Sequence, residues 1–184
     1  MGEPSLNSHE RVRLALNHQE GDRIPFDLGG TGLTTIHIDA YENLRAYLGM
    51  PRVKTRIMAM AEQLAEVEED LSGRLQTDFR LVMPGTPSGF QYAFRDEGAY
   101  EAYTDEWGIG WRKPKDGGFY YDMYRHPLAG ADSMDEIRCY AFPEPEDLQR
   151  FATLREHAEA AVAQEKAVVL AGPCAGIAEV YSWL

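Results

Sequence analysis

The spacing of apolar residues along the chain changes repeatedly between a helical period and short continuous runs. Apolar residues three and four positions apart predict helices over about Ser8–Gln19, Asp39–Gly49, Arg56–Leu75 and Pro145–Gln164. Continuous apolar runs bounded by turn residues predict buried strands at Ile24–Leu28, Phe79–Met83 and Ala167–Ala171. This β-loop-α alternation predicts an α/β fold with a parallel sheet.

Residues 85–127 have a different composition, in which glycine and aromatic residues dominate. Two alternating runs, Thr104–Arg112 and Phe119–Arg125, are separated by the segment Lys113–Gly118. Alternation on both sides of a loop that contains glycine is typical of a β-hairpin. The sequence therefore predicts an antiparallel, aromatic-rich insertion at 85–127, within a single domain that spans residues 1–184.

Composition places the chain among ordinary globular proteins, since 44% of its 184 residues are hydrophobic and 26% are charged. The formal net charge of −12 argues against nucleic acid and anionic membranes as partners, because both need a basic surface. The only cysteines, Cys139 and Cys174, are typical of free thiols in a reducing compartment. The sequence shows no membrane-spanning apolar run and no signal peptide. We therefore expect a cytoplasmic protein that acts on a small molecule.

The first candidate site follows the first predicted strand, where Asp27 precedes the turn Gly29-Gly30-Thr31-Gly32. In α/β folds, ligands bind beyond the carboxyl ends of the strands. Asp27 is either a hydrogen-bonded structural carboxylate or a group that handles protons, and its position alone does not decide between them. The backbone N–H groups of the glycine turn could hold a phosphate or a carboxylate. A plain flexible turn is the favoured interpretation, because the known phosphate-binding patterns are missing.

Other candidate residues have an ordinary interpretation beside the functional one. His37 and His126 have no partner at metal-ligand spacing, so structural or surface roles are favoured and no metal site is predicted. Cys174 could be a nucleophile or a soft-metal ligand, but a small buried cysteine is the better interpretation. The aromatic residues of the insertion, Trp107 among them, could stack on a flat ligand or fill a small β core.

Several stretches taken together resemble the uroporphyrinogen decarboxylase superfamily. His9-Glu-Arg-Val-Arg-Leu-Ala-Leu-Asn-His18 and Asp22-Arg-Ile-Pro-Phe-Asp27 are similar to the N-terminal signature of that superfamily. Asp105-Glu-Trp-Gly-Ile109 and His126-Pro-Leu128 resemble its less-studied members. Val169-Leu-Ala-Gly-Pro173 resembles its later strand-loop motif. The resemblance rests on the set of motifs, which covers essentially the whole chain.

The resemblance implies a TIM-type (β/α)₈ barrel, of which this chain would be the first half, since a complete barrel takes about 250 residues. Asp27 and the loop Gly172–Gly176 would lie on its catalytic face. The position of the family's active-site tyrosine holds Glu179 here, and Tyr181 follows two residues later. The catalytic candidates implied are therefore Asp27, Glu179 and Tyr181. The substrate-binding candidates are Gly29, Gly30, Thr31, His37, Trp107 and Cys174.

Departures from the decarboxylase pattern favour another branch of the superfamily. The decarboxylases carry an arginine-rich segment after the first strand, where this chain has Leu28–Gly32, and a catalytic aspartate after the second, where it has Met83–Gly85. The chain is more similar to the corrinoid-linked methyltransferases, which lack those arginines and use zinc to activate an acceptor thiol. Zinc and a corrinoid are thus implied for a full-length family member. Their His-x-Cys and distal Cys ligands belong to a C-terminal half, so neither cofactor is assigned to this chain.

Three functions follow from these observations. The first is methyl transfer to or from a small molecule, by a methyltransferase-like member that is incomplete as a catalyst on its own. The alternatives are a decarboxylase-like lyase of porphyrin biosynthesis and a non-catalytic half-barrel that acts by self-association or binding. The apolar final run, Tyr181-Ser182-Trp183-Leu184, favours a homo-oligomer or a missing C-terminal half that would bury it.

Overall fold

The computed structural model describes residues 6–172, which fall into two compact units. Residues 6–59, 63–83 and 153–171 form the first, which we call the helical unit. Residues 60–62 and 84–152, with Gly172, form the second, which we call the sheet unit. The catalytic and binding candidates that precede residue 80 all belong to the helical unit, and Trp107 belongs to the sheet unit.

The described residues contain five short α-helices and eight short strands, numbered here in chain order. The helices are α1 (Ser8–Leu16), α2 (Ile38–Tyr47), α3 (Glu69–Leu75), α4 (Met134–Cys139) and α5 (Leu154–Ala163). The strands are β1 (Ile57–Ala59), β2 (Leu64–Ala65), β3 (Phe79–Val82), β4 (Arg95–Glu97), β5 (Tyr100–Thr104), β6 (Gly110–Pro114), β7 (Asp122–Arg125) and β8 (Ala167–Leu170). A 3-10 helix, Leu148–Phe151, interrupts the long helix predicted over Pro145–Gln164.

Helix α1 starts at a reciprocal cap. The Asn7 side chain accepts a hydrogen bond from the Glu10 N–H at 2.8 Å, and the Glu10 carboxylate accepts one from the Asn7 N–H at 3.1 Å. Such a box satisfies amide groups that the first helical turn leaves without partners. The helix ends at Leu16, and His18 has a left-handed backbone with φ of 55°. The helix is thus shorter than the predicted Ser8–Gln19.

The helix predicted over Arg56–Leu75 is wrong. Strands β1 and β2 form an antiparallel pair in this segment, and only its last seven residues are helical, as α3. Backbone hydrogen bonds of 2.9 Å tie the segment to the chain before α2, from the Ala65 N–H to the Ile36 carbonyl and from the Ile38 N–H to the Gln63 carbonyl. Pairing with a segment distant in sequence therefore overrides the helical spacing of the apolar residues.

The core of the helical unit forms around Tyr41, Ala65 and Leu71, which are completely buried. Partly buried apolar side chains pack against these three, namely Leu28, Ile36, Ile38, Leu44, Leu48, Met50, Val67 and Leu75. The Tyr41 hydroxyl accepts a hydrogen bond from the Glu68 N–H at 3.0 Å, so its burial leaves no unpaired oxygen. Of the apolar face predicted for α2, Tyr41, Leu44 and Leu48 belong to the core, whereas Tyr47 is 87% exposed.

Strands β3 and β8 form a parallel pair, with Phe79 opposite Ala167 and Val82 opposite Leu170. Helix α5 packs against both strands. The predicted buried strand Ile24–Leu28 is wrong, because this segment forms no strand and Ile24 is 86% exposed. The Phe26 carbonyl nevertheless accepts a hydrogen bond of 2.8 Å from the Asp78 N–H, directly before β3. The segment therefore lies beside the start of β3.

The predicted partial TIM barrel is also wrong. Between residues 6 and 172 the strands form three separate small sheets, the antiparallel pair β1–β2, the parallel pair β3–β8 and the antiparallel sheet β4–β5–β6–β7. A barrel requires successive parallel strands, each followed by a helix. In the described part of the chain only β3 and β8 pair in parallel. The fold is mixed α/β. The barrel prediction failed because apolar runs do not specify which strands pair with one another.

The sheet unit is built on the four antiparallel strands β4 to β7. The antiparallel pairing predicted in 85–127 is present, but the run Thr104–Arg112 is not one strand, since β5 ends at Thr104 and β6 begins at Gly110. On one face, the rings of Tyr103 and Tyr121 have centroids 4.9 Å apart. On the other, the Arg112 guanidinium lies over the Tyr100 ring at 4.6 Å. The aromatic residues here make a small β core.

Candidate functional site

The most strongly charged site in the helical unit is centred on Asp78, whose side chain is fully buried. Arg11 Nη1 lies 2.6 Å from Asp78 Oδ1, and Arg23 Nη1 lies 2.5 Å from Oδ2. The Phe26 N–H also donates to Oδ2, at 2.8 Å. Arg11 reaches a second carboxylate, with Nε 2.6 Å from Asp22 Oδ1. We call Arg11, Asp22, Arg23 and Asp78 the ion cluster.

The ion cluster keeps its carboxylates ionised. Burial raises the pKa of Asp78, but hydrogen bonds from Arg23 and from the Phe26 N–H outweigh burial, so the pKa lies below its ordinary value. The hydrogen bond from Arg11 lowers the pKa of Asp22 from 3.8 to about 2. The same pairing raises the pKa of Arg11. The contacts of the ion cluster therefore keep the carboxylates of Asp22 and Asp78 charged and fixed in position.

A polar cleft of about 420 Å³ opens beside the ion cluster. Its lining includes Ser8 from the first turn of α1 and Lys166, which directly precedes β8. Lys166 Nζ donates to the Thr77 carbonyl at 2.7 Å and lies 3.3 Å from Ser8 Oγ. The cleft therefore combines an amine, a hydroxyl and the edge of the ion cluster, all within the helical unit.

The predicted site at Asp27 is a loop closed by its own hydrogen bonds. Asp27 Oδ1 accepts from the Gly30 N–H at 2.8 Å, the Gly29 N–H donates to the Thr34 carbonyl at 3.2 Å, and the Thr31 N–H donates to Thr34 Oγ1 at 3.0 Å. Three of the amides that could cradle an anion are thus bonded within the loop. Asp27 Oδ2 has no hydrogen-bond partner within residues 6–172.

Two glycines of this loop are required by close approach. Gly29 has φ of 87°, and a Cβ built on it would lie 2.5 Å from the Val67 side chain. A Cβ on Gly30 would lie 2.5 Å from Asp27 Oδ1 and 2.6 Å from Phe79 Cβ. The loop is therefore packed tightly against the start of β3 and differs from a plain flexible turn. Its tightness places the Asp27 carboxylate in a defined position.

His37 lies at the start of α2 in the same unit. Its Nδ1 accepts a hydrogen bond from the Asp39 N–H at 3.2 Å, so it serves as the side-chain cap of the helix. The side chain is 15% exposed, and Asp39 Oδ2 lies 3.6 Å from Nδ1. This contact gives His37 a structural role beside the substrate-binding role predicted from the sequence.

Trp107 lies in a turn of the sheet unit that is organised by Asp105. Asp105 Oδ1 accepts from the N–H groups of Trp107 at 2.9 Å and Ile109 at 3.0 Å, and Oδ2 accepts from Trp111 Nε1 at 2.8 Å. The Tyr140 hydroxyl donates to the Trp107 carbonyl. The motif Asp105–Ile109 thus specifies a turn, in which the Trp107 backbone is fixed at both ends.

The remaining candidates, Glu179, Tyr181 and Cys174, lie outside the described residues. Among residues 6–172, no group of three or more His, Cys, Asp or Glu side chains is placed to hold a metal ion. No helix in the same range is long and apolar enough to cross a membrane. The structure therefore brings Asp27, Gly29, Gly30 and Thr31 into one loop, with His37 in the same unit.

Sequence reasoning missed the ion cluster and the cleft beside it. A signal was present, since Arg11, Asp22 and Arg23 belong to the two N-terminal stretches that carry the family resemblance. The shared partner of the two arginines, Asp78, is 55 residues beyond Arg23 and precedes a strand. Spacing alone does not reveal a contact between positions so far apart.

Comparison with known proteins gives no relative for this chain, since no family model, curated protein or solved structure matches it. The resemblance to the uroporphyrinogen decarboxylase superfamily stays a prediction from the quoted motifs.

Proposed function

We propose that this chain takes part in methyl transfer to or from a small molecule, as a relative of the corrinoid-linked methyltransferases of the uroporphyrinogen decarboxylase superfamily. One observation carries the proposal. The two N-terminal stretches that resemble the superfamily are joined through a single ion cluster, in which Arg11 of the first and Arg23 of the second both bind Asp78. Because their side chains bind the same buried carboxylate, the two stretches form one hydrogen-bonded framework.

This framework supports the candidate site in a specific way. Both the N–H and the carbonyl of Phe26 are bonded to Asp78, so the chain that leads into Asp27 is held against the start of β3. The tight loop that follows orients the Asp27 carboxylate and leaves Oδ2 without a bond in the described chain. Asp27 could therefore accept a proton or a hydrogen bond from a small substrate at Oδ2.

The cofactors implied by the resemblance are not assigned to the described residues. Zinc needs about four ligands of the His, Cys or carboxylate type, and no such group occurs within residues 6–172. No step of the proposed function is therefore attributed to a metal or a corrinoid held by this part of the chain. Its own residues supply the substrate-side carboxylate and the loop that positions it.

Methylcobalamin is the probe that tests the proposal. The full chain is mixed with methylcobalamin, zinc and 2-mercaptoethanol; binding is followed by equilibrium dialysis, and methyl transfer by the absorbance of the corrinoid. We expect binding together with a transfer rate that Asp27→Asn lowers about tenfold or more, as for loss of a positioned proton acceptor. Asp116→Asn, at an exposed position of the sheet unit, is the matched control and leaves the rate unchanged.

A chain that neither binds methylcobalamin nor transfers the methyl group contradicts the proposal. Light scattering on the same samples addresses the alternative, self-association. Stable dimers that show no methyl transfer would favour the non-catalytic alternative, in which the chain acts by self-association.

A further inference from the structure

Lys166 occupies an unusual position for a lysine, because it lines the polar cleft of the helical unit and is only partly exposed. Its Nζ is held by two neutral oxygens, the Thr77 carbonyl at 2.7 Å and Ser8 Oγ at 3.3 Å. Within the described chain it forms no ion pair with a carboxylate. The amine is thus fixed in direction without a negative partner in contact.

The Ser8 hydroxyl links this amine to the ion cluster. Ser8 is 9% exposed, and its hydroxyl contributes to the lowered pKa of the buried Asp78 carboxylate. The amine and the hydroxyl both line the cleft, together with Arg11, Asp22 and Arg23 of the ion cluster. A hydroxyl in that position can pass a proton to or from whatever forms on the amine.

The surroundings of Lys166 hold its pKa below the ordinary value for a lysine. Burial lowers the pKa of Lys166, and the charge of Arg80 lowers it further, while Asp78 and Glu69 oppose these effects in part. The other charged groups that line the cleft are Arg11, Asp22, Arg23 and Glu165. A lysine in such surroundings is a better nucleophile at neutral pH than an exposed lysine.

We propose that Lys166 is a nucleophilic amine that condenses with a small polar aldehyde in this cleft, with Ser8 as the proton relay. The neutral Nζ adds to the carbonyl carbon, and a proton passes from nitrogen to the carbonyl oxygen through the Ser8 hydroxyl. Loss of one water molecule then forms the C=N bond of an imine. The condensation neither oxidises nor reduces either partner. This site is independent of the proposed methyl transfer.

The chain offers a clean comparison, since it has only four lysines, Lys54, Lys113, Lys115 and Lys166. The full chain is incubated at neutral pH with glycolaldehyde and sodium cyanoborohydride, which reduces an imine to a stable secondary amine. Mass spectrometry of the digested protein then gives a labelling rate for each lysine. We expect Lys166 to be labelled about fivefold faster than the exposed Lys54, because a larger fraction of its amine is neutral.

Two variants separate the roles of the two residues. Ser8→Ala keeps the amine but removes the relay, so the labelling rate of Lys166 falls severalfold while that of Lys54 is unchanged. Lys166→Arg keeps a positive charge in the cleft and abolishes the fast adduct. Circular dichroism on each variant shows whether it is folded. Labelling of Lys166 at or below the rate of Lys54 in the unmodified chain overturns the proposal, and an unchanged rate in a folded Ser8→Ala variant removes Ser8 from it.

Discussion

Each of the two units contains an aspartate that is held by several hydrogen bonds. The surroundings of these two aspartates shift their pKa values in opposite directions. Asp78 of the helical unit is bound by Arg11, Arg23 and one backbone N–H, and its pKa lies below the ordinary value. Within residues 6–172, Asp105 of the sheet unit is bound only by neutral donors, the Trp107 and Ile109 N–H groups and the Trp111 indole. Burial raises the pKa of Asp105, and these donors do not offset it.

The difference shows what a buried carboxylate needs in order to stay charged. Three neutral hydrogen bonds satisfy the oxygens of Asp105 as hydrogen-bond acceptors, but they bring no positive charge to compensate for lost solvation. Two guanidinium groups supply that charge at Asp78. The Asp105 site is therefore a turn held by hydrogen bonds, whereas the Asp78 site is a charged junction between distant segments.

The largest effect is expected from Asp78→Asn. The substitution keeps the shape but leaves Arg11, which is 5% exposed, without one of its two carboxylates. Breaking a buried ion pair on one side lowers the free energy of unfolding by about 3–5 kcal/mol. Urea unfolding followed by circular dichroism measures this loss. Glu66→Gln, which removes one partner of an exposed ion pair with Arg56, should cost at most about 1 kcal/mol.

A smaller loss is expected from Asp105→Asn. The amide oxygen can still accept from the Trp107 and Ile109 N–H groups, but the amide nitrogen would face the Trp111 indole N–H, donor against donor. Leaving a partly buried donor without an acceptor costs about 1–3 kcal/mol. Urea unfolding measures this too, and combining it with Trp111→Phe should recover part of the loss. A cost equal to that of Asp78→Asn would mean that the two aspartates do not differ as described.

The smallest effect, and the most direct test of the contrast, is the response to acid. As pH falls from 3.8 toward 2, the unfolded chain binds protons at the Asp22 position before the folded helical unit does, so stability contributed by the ion cluster is lost. Asp105 has the opposite sign. Its folded pKa is raised, so protonation favours the folded sheet unit as pH falls from that pKa toward the ordinary value.

Hydrogen exchange followed by mass spectrometry can separate the units, after correction for the intrinsic dependence of exchange on pH. Between about pH 5 and about pH 3, peptides that contain β3 should lose protection while peptides that contain β5 and β6 keep or gain it. Parallel loss of protection in both units would show that the pKa shifts of Asp22 and Asp105 do not govern their stability.

The sequence predicted local elements better than their arrangement. Strands at Phe79–Met83 and Ala167–Ala171 were predicted from continuous apolar runs and are present as β3 and β8. Only the last seven residues of the helix predicted over Arg56–Leu75 are helical, because the residues before them form strands β1 and β2 and bond to Ile36. The spacing of apolar residues predicts which residues are buried, but it does not predict which distant segment buries them.

The sequence by itself determined the antiparallel pairing in 85–127 and the position of Asp27 just before a glycine loop. Each of these depends on residues a few positions apart. Only the tertiary structure decided that Asp78 joins Arg11 and Arg23, that Lys166 meets Ser8, and that three small sheets form where a partial barrel was predicted. The contacts of Asp78 and Lys166 join residues that are 55 to 158 positions apart, and they form because buried charges and buried backbone polar groups need partners.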